Sequence, residues 1–345
     1  MSTRTWISLG TVLLLGIIVF LSRHEIWHAW KLLDHVNGWL LLLLLPLQVM
    51  AYFIAGEMMF AYLRDKKATQ KISLIEQARI ALEVNFVNHI LPSGGVSGIS
   101  YASWRLSNLG VSAARVTVAQ LIRFAAAFAA YITLLVLAVL AITADGHVNR
   151  WILLLSSFVV FMMISTVLIG MYVVSNLRRA RSIGRQLATV CNTTVRFFSL
   201  GKKQSIVKTT TIVTFLEQVH EEYLTLKREK KILIKPYLWG IVFTILDVMV
   251  FVVTYWALGY SVNPAPILIA YGLATMVGIF AATPGGAGAY EAIMVSFLAI
   301  AGVPAGVAIA GTLLARVILL LGTILFGYFF YQYALVKYGK PKLTN

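Results

Sequence analysis

Two strings in this chain combine residues that open a helix with residues that hold an anion. The later one is Thr283-Pro284-Gly285-Gly286-Ala287-Gly288-Ala289-Tyr290-Glu291, and the earlier one is Asn88-His89-Ile90-Leu91-Pro92-Ser93-Gly94-Gly95-Val96-Ser97-Gly98. Proline cannot continue the hydrogen-bond ladder of a helix, and paired glycines free the backbone from steric limits. A helix that begins just after such a break turns its free N–H groups and positive dipole end toward whatever sits there. An arginine follows each proline at nearly the same interval, Arg123 at 31 residues and Arg316 at 32. Its guanidinium is a forked donor matched to phosphate. The candidate substrate-binding set is therefore Pro92, Ser93, Gly94, Gly95 and Arg123 in one half, and Pro284, Gly285, Gly286, Gly288, Glu291 and Arg316 in the other. The acids Glu57 and Asp247 stand ahead of the two breaks as charge partners. In the alternative use of the same residues, the arginines pair with Asp247, Glu57 or Glu291 and only lock helices together; the sequence leaves both open.

The chain around these strings is not that of a soluble protein. Of its 345 residues, 59% are hydrophobic and 12% charged, against roughly 25% charged in soluble domains. Several runs reach the roughly 20 apolar residues that a bilayer-spanning helix needs. The single Cys191 excludes an internal disulfide and a cysteine-based zinc site. No metal and no cofactor are expected. The net charge of +16 fits basic loops on the cytoplasmic side and contact with anionic lipid, and not nucleic acid.

Taken in order, the apolar runs predict six full spans and two re-entrant hairpins. Residues 6–21 form a first span, kept as a helix because no small-residue cleavage site follows it. A loop at 23–37 carries Trp27 and Trp30 as interfacial anchors. Residues 38–63 form the second span, with Pro46 and Glu57 inside it. The segments 72–91 and 95–109 are too polar to face lipid along their whole length, so they form a hairpin about the first break. Residues 111–143, 151–174 and 236–260 are spans. The segments 267–282 and 291–302 form the second hairpin, and 304–333 is the last span. The longest loop is strongly basic at Arg178, Arg179, Arg181 and Arg185. It then shows Ile212, Leu216, Val219, Tyr223 and Leu226 as one helical stripe. That stripe lies in the headgroup region or packs on a partner helix. Basic residues in 64–71, in the long loop and in the tail place both termini in the cytoplasm.

The two halves share one plan: an acid in a span, a hairpin at a Pro-Gly-Gly break, then a long span with an arginine. Glu57 precedes Pro92 by 35 residues, and Asp247 precedes Pro284 by 37. The halves begin on opposite sides, the arrangement of inverted repeats, in which substrate sites sit near the midplane at broken helices. The expected fold is an all-α polytopic membrane protein, a single transmembrane domain over 1–345. Its first inverted repeat is 38–143, a basic cytoplasmic amphipathic loop covers 176–234, and the second repeat is 235–335.

The strings around Pro92 and Pro284, with Arg316 in the helix that follows, resemble the transmembrane domain of lysylphosphatidylglycerol synthases. This domain also occurs alone in flippase-like membrane proteins of bacteria and archaea, and the resemblance covers nearly the whole chain. The first string departs from the family form, with Gly98-Ile99-Ser100 where an acid often follows. The resemblance implies a lipid flippase of the prokaryotic inner membrane, acting on phospholipids or polyprenyl-phosphate carriers. A homodimer, or a separate lipid-modifying enzyme as partner, stays open. In the fused relatives a soluble domain transfers lysine; none follows within these 345 residues, so no aminoacyltransferase is expected. The competing readings are a membrane glycosyl or lipid transferase and an ion-coupled transporter using Glu57 and Asp247. The dispersed acids, with no D-x-D pair, count against the transferase. The absence of a G-x-x-x-x-G-K-[ST] string counts against ATP hydrolysis.

Overall fold

Polar residues at the ends of apolar runs set where the helices begin. The computed structural model describes residues 36–91, 96–144, 150–198, 209–280 and 286–339, and every regular element among them is helical. Helix α1 (Gly38–Asp65) is capped by Asn37, whose side-chain oxygen accepts from the Trp39 N–H at 3.1 Å. The Asn37 N–H in turn donates to the Ala257 carbonyl at 2.9 Å. Helix α2 (Leu74–Ile90) is capped by Ser73, which accepts from the Glu76 N–H at 3.2 Å. Helices α3 (Val96–Ser107), α4 (Ala113–Ala144), α5 (Arg150–Val174), α6 (Leu177–Phe198) and α7 (Thr209–Arg228) follow. A 3₁₀ turn, Lys230–Leu233, runs into α8 (Ile234–Ala257). Then come α9 (Pro264–Phe280), α10 (Ala289–Ile300) and α11 (Ala305–Thr323). The last continues through a π-helical turn, Ile324–Tyr328, into α12 (Phe329–Tyr338).

The chain is an all-α polytopic membrane protein. Among the described residues five helices are long and apolar enough to cross a bilayer: Gly38–Asp65, Arg115–Ala141, Leu154–Val174, Lys230–Ala257 and Ala305–Tyr338. They coincide with five of the six expected spans; the first, at 6–21, lies outside the described residues. Helices α3 and α10 have 12 residues each. Each rises only about 18 Å, short of the ~30 Å hydrocarbon core. Helix α2 packs on α3, and α9 packs on α10, across the two breaks.

Helix contacts divide the chain into two units, 1–160 with 235–345, and 161–234. The second unit is where the structure decides between the two uses of the apolar stripe. Ala180, Gly184 and Ala188 repeat every four residues along α6 and make a face of small side chains. Ala180 and Ala188 are fully buried, and a methyl group on Gly184 would meet Val213 and Leu216 of α7 at 3.3 Å. The stripe, with Leu216 and the buried Val219, therefore packs on a partner helix. Arg181 pairs with Glu217 at 2.5 Å, and the His220 Nδ1 donates to the Val174 carbonyl at 2.6 Å. What the sequence reads as one loop is a helical hairpin.

In the first unit, large side chains of one helix sit on glycines of another, the close approach that replaces hydrophobic drive inside a bilayer. Tyr255 of α8 is fully buried, lies on Gly311 of α11, and shares a hydrogen bond with Thr312 at 3.3 Å. A Cβ at Gly311 would come within 2.1 Å of the Tyr255 ring, while one at Gly306 would meet nothing within 4 Å. Gly311→Leu should therefore lower the unfolding free energy by about 1–3 kcal/mol, the usual cost of overpacking, and Gly306→Ala should leave it nearly unchanged. Chemical unfolding of both variants in the same micelle measures the difference.

Candidate anion-binding site

The second break is held open by its glycines and closed by its carboxylate. Gly286 has φ +72°, a conformation that side chains rarely adopt, and a Cβ there would lie 2.7 Å from the Gly278 Cα of α9. Gly288, at φ +87°, begins α10. Glu291 then serves two groups at once. One carboxylate oxygen accepts the Gly288 N–H at 2.6 Å, and the other accepts the Arg316 Nε–H, also at 2.6 Å. The Arg316 guanidinium lies 4.4 Å above the centre of the Tyr290 ring, and Tyr290 stacks on Phe251 with centroids 6.4 Å apart. Pro284 and Gly285, like Pro92, Ser93, Gly94 and Gly95, lie outside the described residues.

The first break is flanked differently. At the end of α2 the Asn88 side chain accepts the Gly98 N–H at 3.0 Å, and the Ser97 hydroxyl donates to the Val87 carbonyl at 3.3 Å. An amide thus stands where the second break has an acid. Arg123 of α4 differs from Arg316 in the same way. Its Nε–H donates to Gln120 at 2.7 Å, and its guanidinium lies 4.6 Å from the Phe124 ring centre. No carboxylate reaches it among the described residues. It lines a cavity of about 10 Å³ together with Gly56, Asn85 and Gln120, room for roughly one water molecule.

One imidazole lies within electrostatic range of both arginines: the charges of Arg316 and Arg123 act on His89. The His89 Nδ1 donates to the Asn85 carbonyl at 2.8 Å, and its ring lies 6.2 Å from that of Tyr52. Tyr52 shares a hydrogen bond with Thr323 and accepts from Gln48 at 2.5 Å. The charges of Arg316 and Asp247 both act on Tyr52. Helices α1, α2, α4, α8, α10 and α11 thus surround one polar patch among apolar residues.

The acids divide their roles. Glu291 takes Arg316. Glu57 takes neither Arg123 nor Arg316: it pairs with Arg64, seven residues on, which also donates to Gln77 at 2.7 Å. Two turns of helix put Glu57 and Arg64 on one face, so Glu57 belongs to the end of α1. Asp247 accepts the Tyr271 hydroxyl at 2.5 Å.

A second cluster was not anticipated. The Arg105 and Glu83 side chains are each 1% exposed and pair at 3.0 Å. Arg105 also pairs with Glu76, and the Tyr101 hydroxyl donates to Glu83 at 2.9 Å. The Arg105 guanidinium lies 4.2 Å from the Tyr338 ring centre, so the cluster ties α2 and α3 to α12. The spacing carried a signal: Glu76 and Glu83 are seven apart, Tyr101 and Arg105 four apart, each on one helical face. The expectation of no metal also passes over one spacing. His24-Glu25-Ile26-Trp27-His28 has the H-E-x-x-H form of helical zinc sites; it lies outside the described residues. Among the described residues no group of histidines, cysteines or acids is arranged to hold a metal.

Residues 7–327 match the family model described as the lysylphosphatidylglycerol synthase TM region. The chain belongs to this family. No curated protein matches it. Membership in the lysylphosphatidylglycerol synthase transmembrane family agrees with the five apolar spans and gives the polar patch a lipid-related setting.

The buried cluster and the exposed pair of the second unit should differ sharply in energy. Arg105→Ala leaves the buried Glu83 without its cation, and Glu76 with Arg79 alone at 3.8 Å, and should cost about 3–5 kcal/mol. Arg181→Ala removes an exposed pair and should cost less than about 1 kcal/mol. Unfolding midpoints in detergent test both, and equal losses would contradict the assignment of Arg105 as a lock.

Proposed function

We propose that this protein moves a phosphate-headgroup lipid, a phospholipid or a polyprenyl-phosphate carrier, between the leaflets of a prokaryotic cytoplasmic membrane, with both termini inside. The observation that carries this reading is Arg123. A guanidinium in an apolar helix is expensive and is normally neutralised. Arg316 has Glu291 for this purpose; Arg123 has an amide, an aromatic ring and a small cavity. A phosphate supplies the missing anion and suits a forked donor. The acyl chains stay in hydrocarbon while only the headgroup crosses, which accords with polar residues gathered at the breaks and not along a whole helix face. Both halves run in the same order, α1 to α4 and α8 to α11, each with two short helices about a glycine break. That order supports two inverted repeats with re-entrant hairpins, the architecture in which a midplane site is served from either side. No transferase chemistry is assigned: the acids near the patch are engaged by Arg316, Arg64 and Tyr271.

The test is transport in vesicles that hold the purified protein and a fluorescent phospholipid, scored by chemical quenching from outside, with an uncharged glycolipid in parallel. Phospholipid should move and glycolipid should not. A hydrogen bond to a charged group contributes ~1.5–3 kcal/mol, so Arg123→Gln should slow phospholipid movement by about 10- to 100-fold. Arg123→Lys, which keeps the charge and loses the fork, should fall between. Equal movement of both lipids, or a fully active Arg123→Gln, contradicts the proposal.

A further inference from the structure

The structure points to a second transported species. We infer that Asp247 is a proton site, and that a proton crosses in the same direction as the lipid headgroup. The inference rests on the translocation reading and adds its driving force.

Asp247 is the sole charged residue in α8 after Lys235, twelve residues beyond it and ten before Ala257. That places it close to the middle of a span. It is half-buried. Its only hydrogen-bond partner among the described residues is the Tyr271 hydroxyl, at 2.5 Å. A phenol donates one proton to one oxygen and brings no charge. The charge of Asp247 reaches Tyr52 of α1, Tyr271 of α9 and Tyr290 of α10, and beside those rings lie Tyr131 of α4, Glu291 of α10 and Arg316 of α11. Four of these are tyrosines, and the remaining two satisfy each other as the Glu291–Arg316 pair. The break residues 281–285 hold no ionisable side chain. Glu291 thus has a cation, and among the described residues Asp247 has none.

A carboxylate at membrane depth requires a counter-charge, and the one available here is a proton. The coupling follows from position. Asp247 and Arg316 act on the same two rings, Tyr52 and Tyr290, and Arg316 and Arg123 act on the same imidazole, His89, so a phosphate on Arg123 adds negative charge to the patch that holds Asp247. Phosphate loading then favours proton uptake, and by linkage proton uptake favours phosphate loading. Loading both on one side and releasing both on the other makes the cycle a proton–lipid symport. No bond to the lipid forms or breaks, and the proton returns to water.

The experiment uses the full chain in vesicles of fluorescent phospholipid, with the membrane voltage clamped. Movement at equal pH on both sides tests translocation itself; movement under an imposed pH difference tests coupling. In the native protein, acid on the loading side should speed net movement severalfold, and a pH dye in the lumen should record acid arriving with the lipid. Whatever rate Asp247→Asn retains at equal pH, that rate should no longer respond to the gradient. Asp247→Glu, which restores a titratable group, should recover it. Native protein that moves lipid with no gradient response or no acid influx overturns the inference and leaves translocation standing. So does Asp247→Asn with an undiminished response, which would mark Asp247 as a partner of Tyr271 alone. If Asp247→Asn does not fold, the native protein's two readouts decide.

Discussion

Glu291 is the residue on which the second half depends. A glycine break inside a bilayer frees backbone N–H groups that lipid cannot satisfy, and an arginine deep in a span carries a charge that lipid cannot stabilise. One carboxylate answers both demands, accepting the Gly288 N–H and the Arg316 Nε–H at 2.6 Å each. This fastens α10 to α11 at the point where the chain would otherwise be least stable. The pair also fills the anion seat that the helix start and the guanidinium would offer to a ligand. In the first half no carboxylate takes the corresponding place among the described residues: Asn88 closes the backbone with an amide, and Arg123 turns to Gln120. The two arginines are thus held differently, Arg316 by a carboxylate and Arg123 by an amide and an aromatic ring.

Much of this was legible in the sequence because the bilayer imposes a simple code. Apolar runs marked the helices, and the described boundaries lie within a few residues of the expected ones. Arg316 and Glu291 stood out because each was charged within an apolar run, and the structure joins them. The residues read differently in the sequence have separate physical reasons. Glu57 was set apart from Arg64 because the arginine was assigned to the basic loop, although seven residues of continuous helix place the two side by side. The partner of Asp247 is a tyrosine hydroxyl 24 residues away, a neutral group that no charge pattern reveals. The Arg105 cluster gathers residues from three helices, and only folding brings them together. The basic loop became two helices because small residues four apart on α6 accept the stripe of α7.

The polar patch gives the two halves a common centre. His89 feels both guanidiniums, and Tyr52 feels Arg316 and Asp247. A headgroup passing from one hairpin to the other would stay among these groups throughout. The cavity beside Arg123 is about 10 Å³, far smaller than a headgroup, so under the proposed function a headgroup reaches Arg123 only if α1, α2 and α4 part around it. The glycine contact of Gly56 with Ala81, where a Cβ would come within 2.4 Å, shows how tightly that seam is shut.

The central claim is that Arg123 receives the phosphate. The direct measurement is a structure of the full chain in a bilayer disc with phospholipid bound. A headgroup phosphate should lie about 2.7–2.9 Å from the Arg123 guanidinium nitrogens, the range of charge-assisted hydrogen bonds, with the seam between α1 and α2 opened. A bound structure in which Arg123 is held by a protein carboxylate, and the phosphate rests elsewhere on the protein surface, would contradict it.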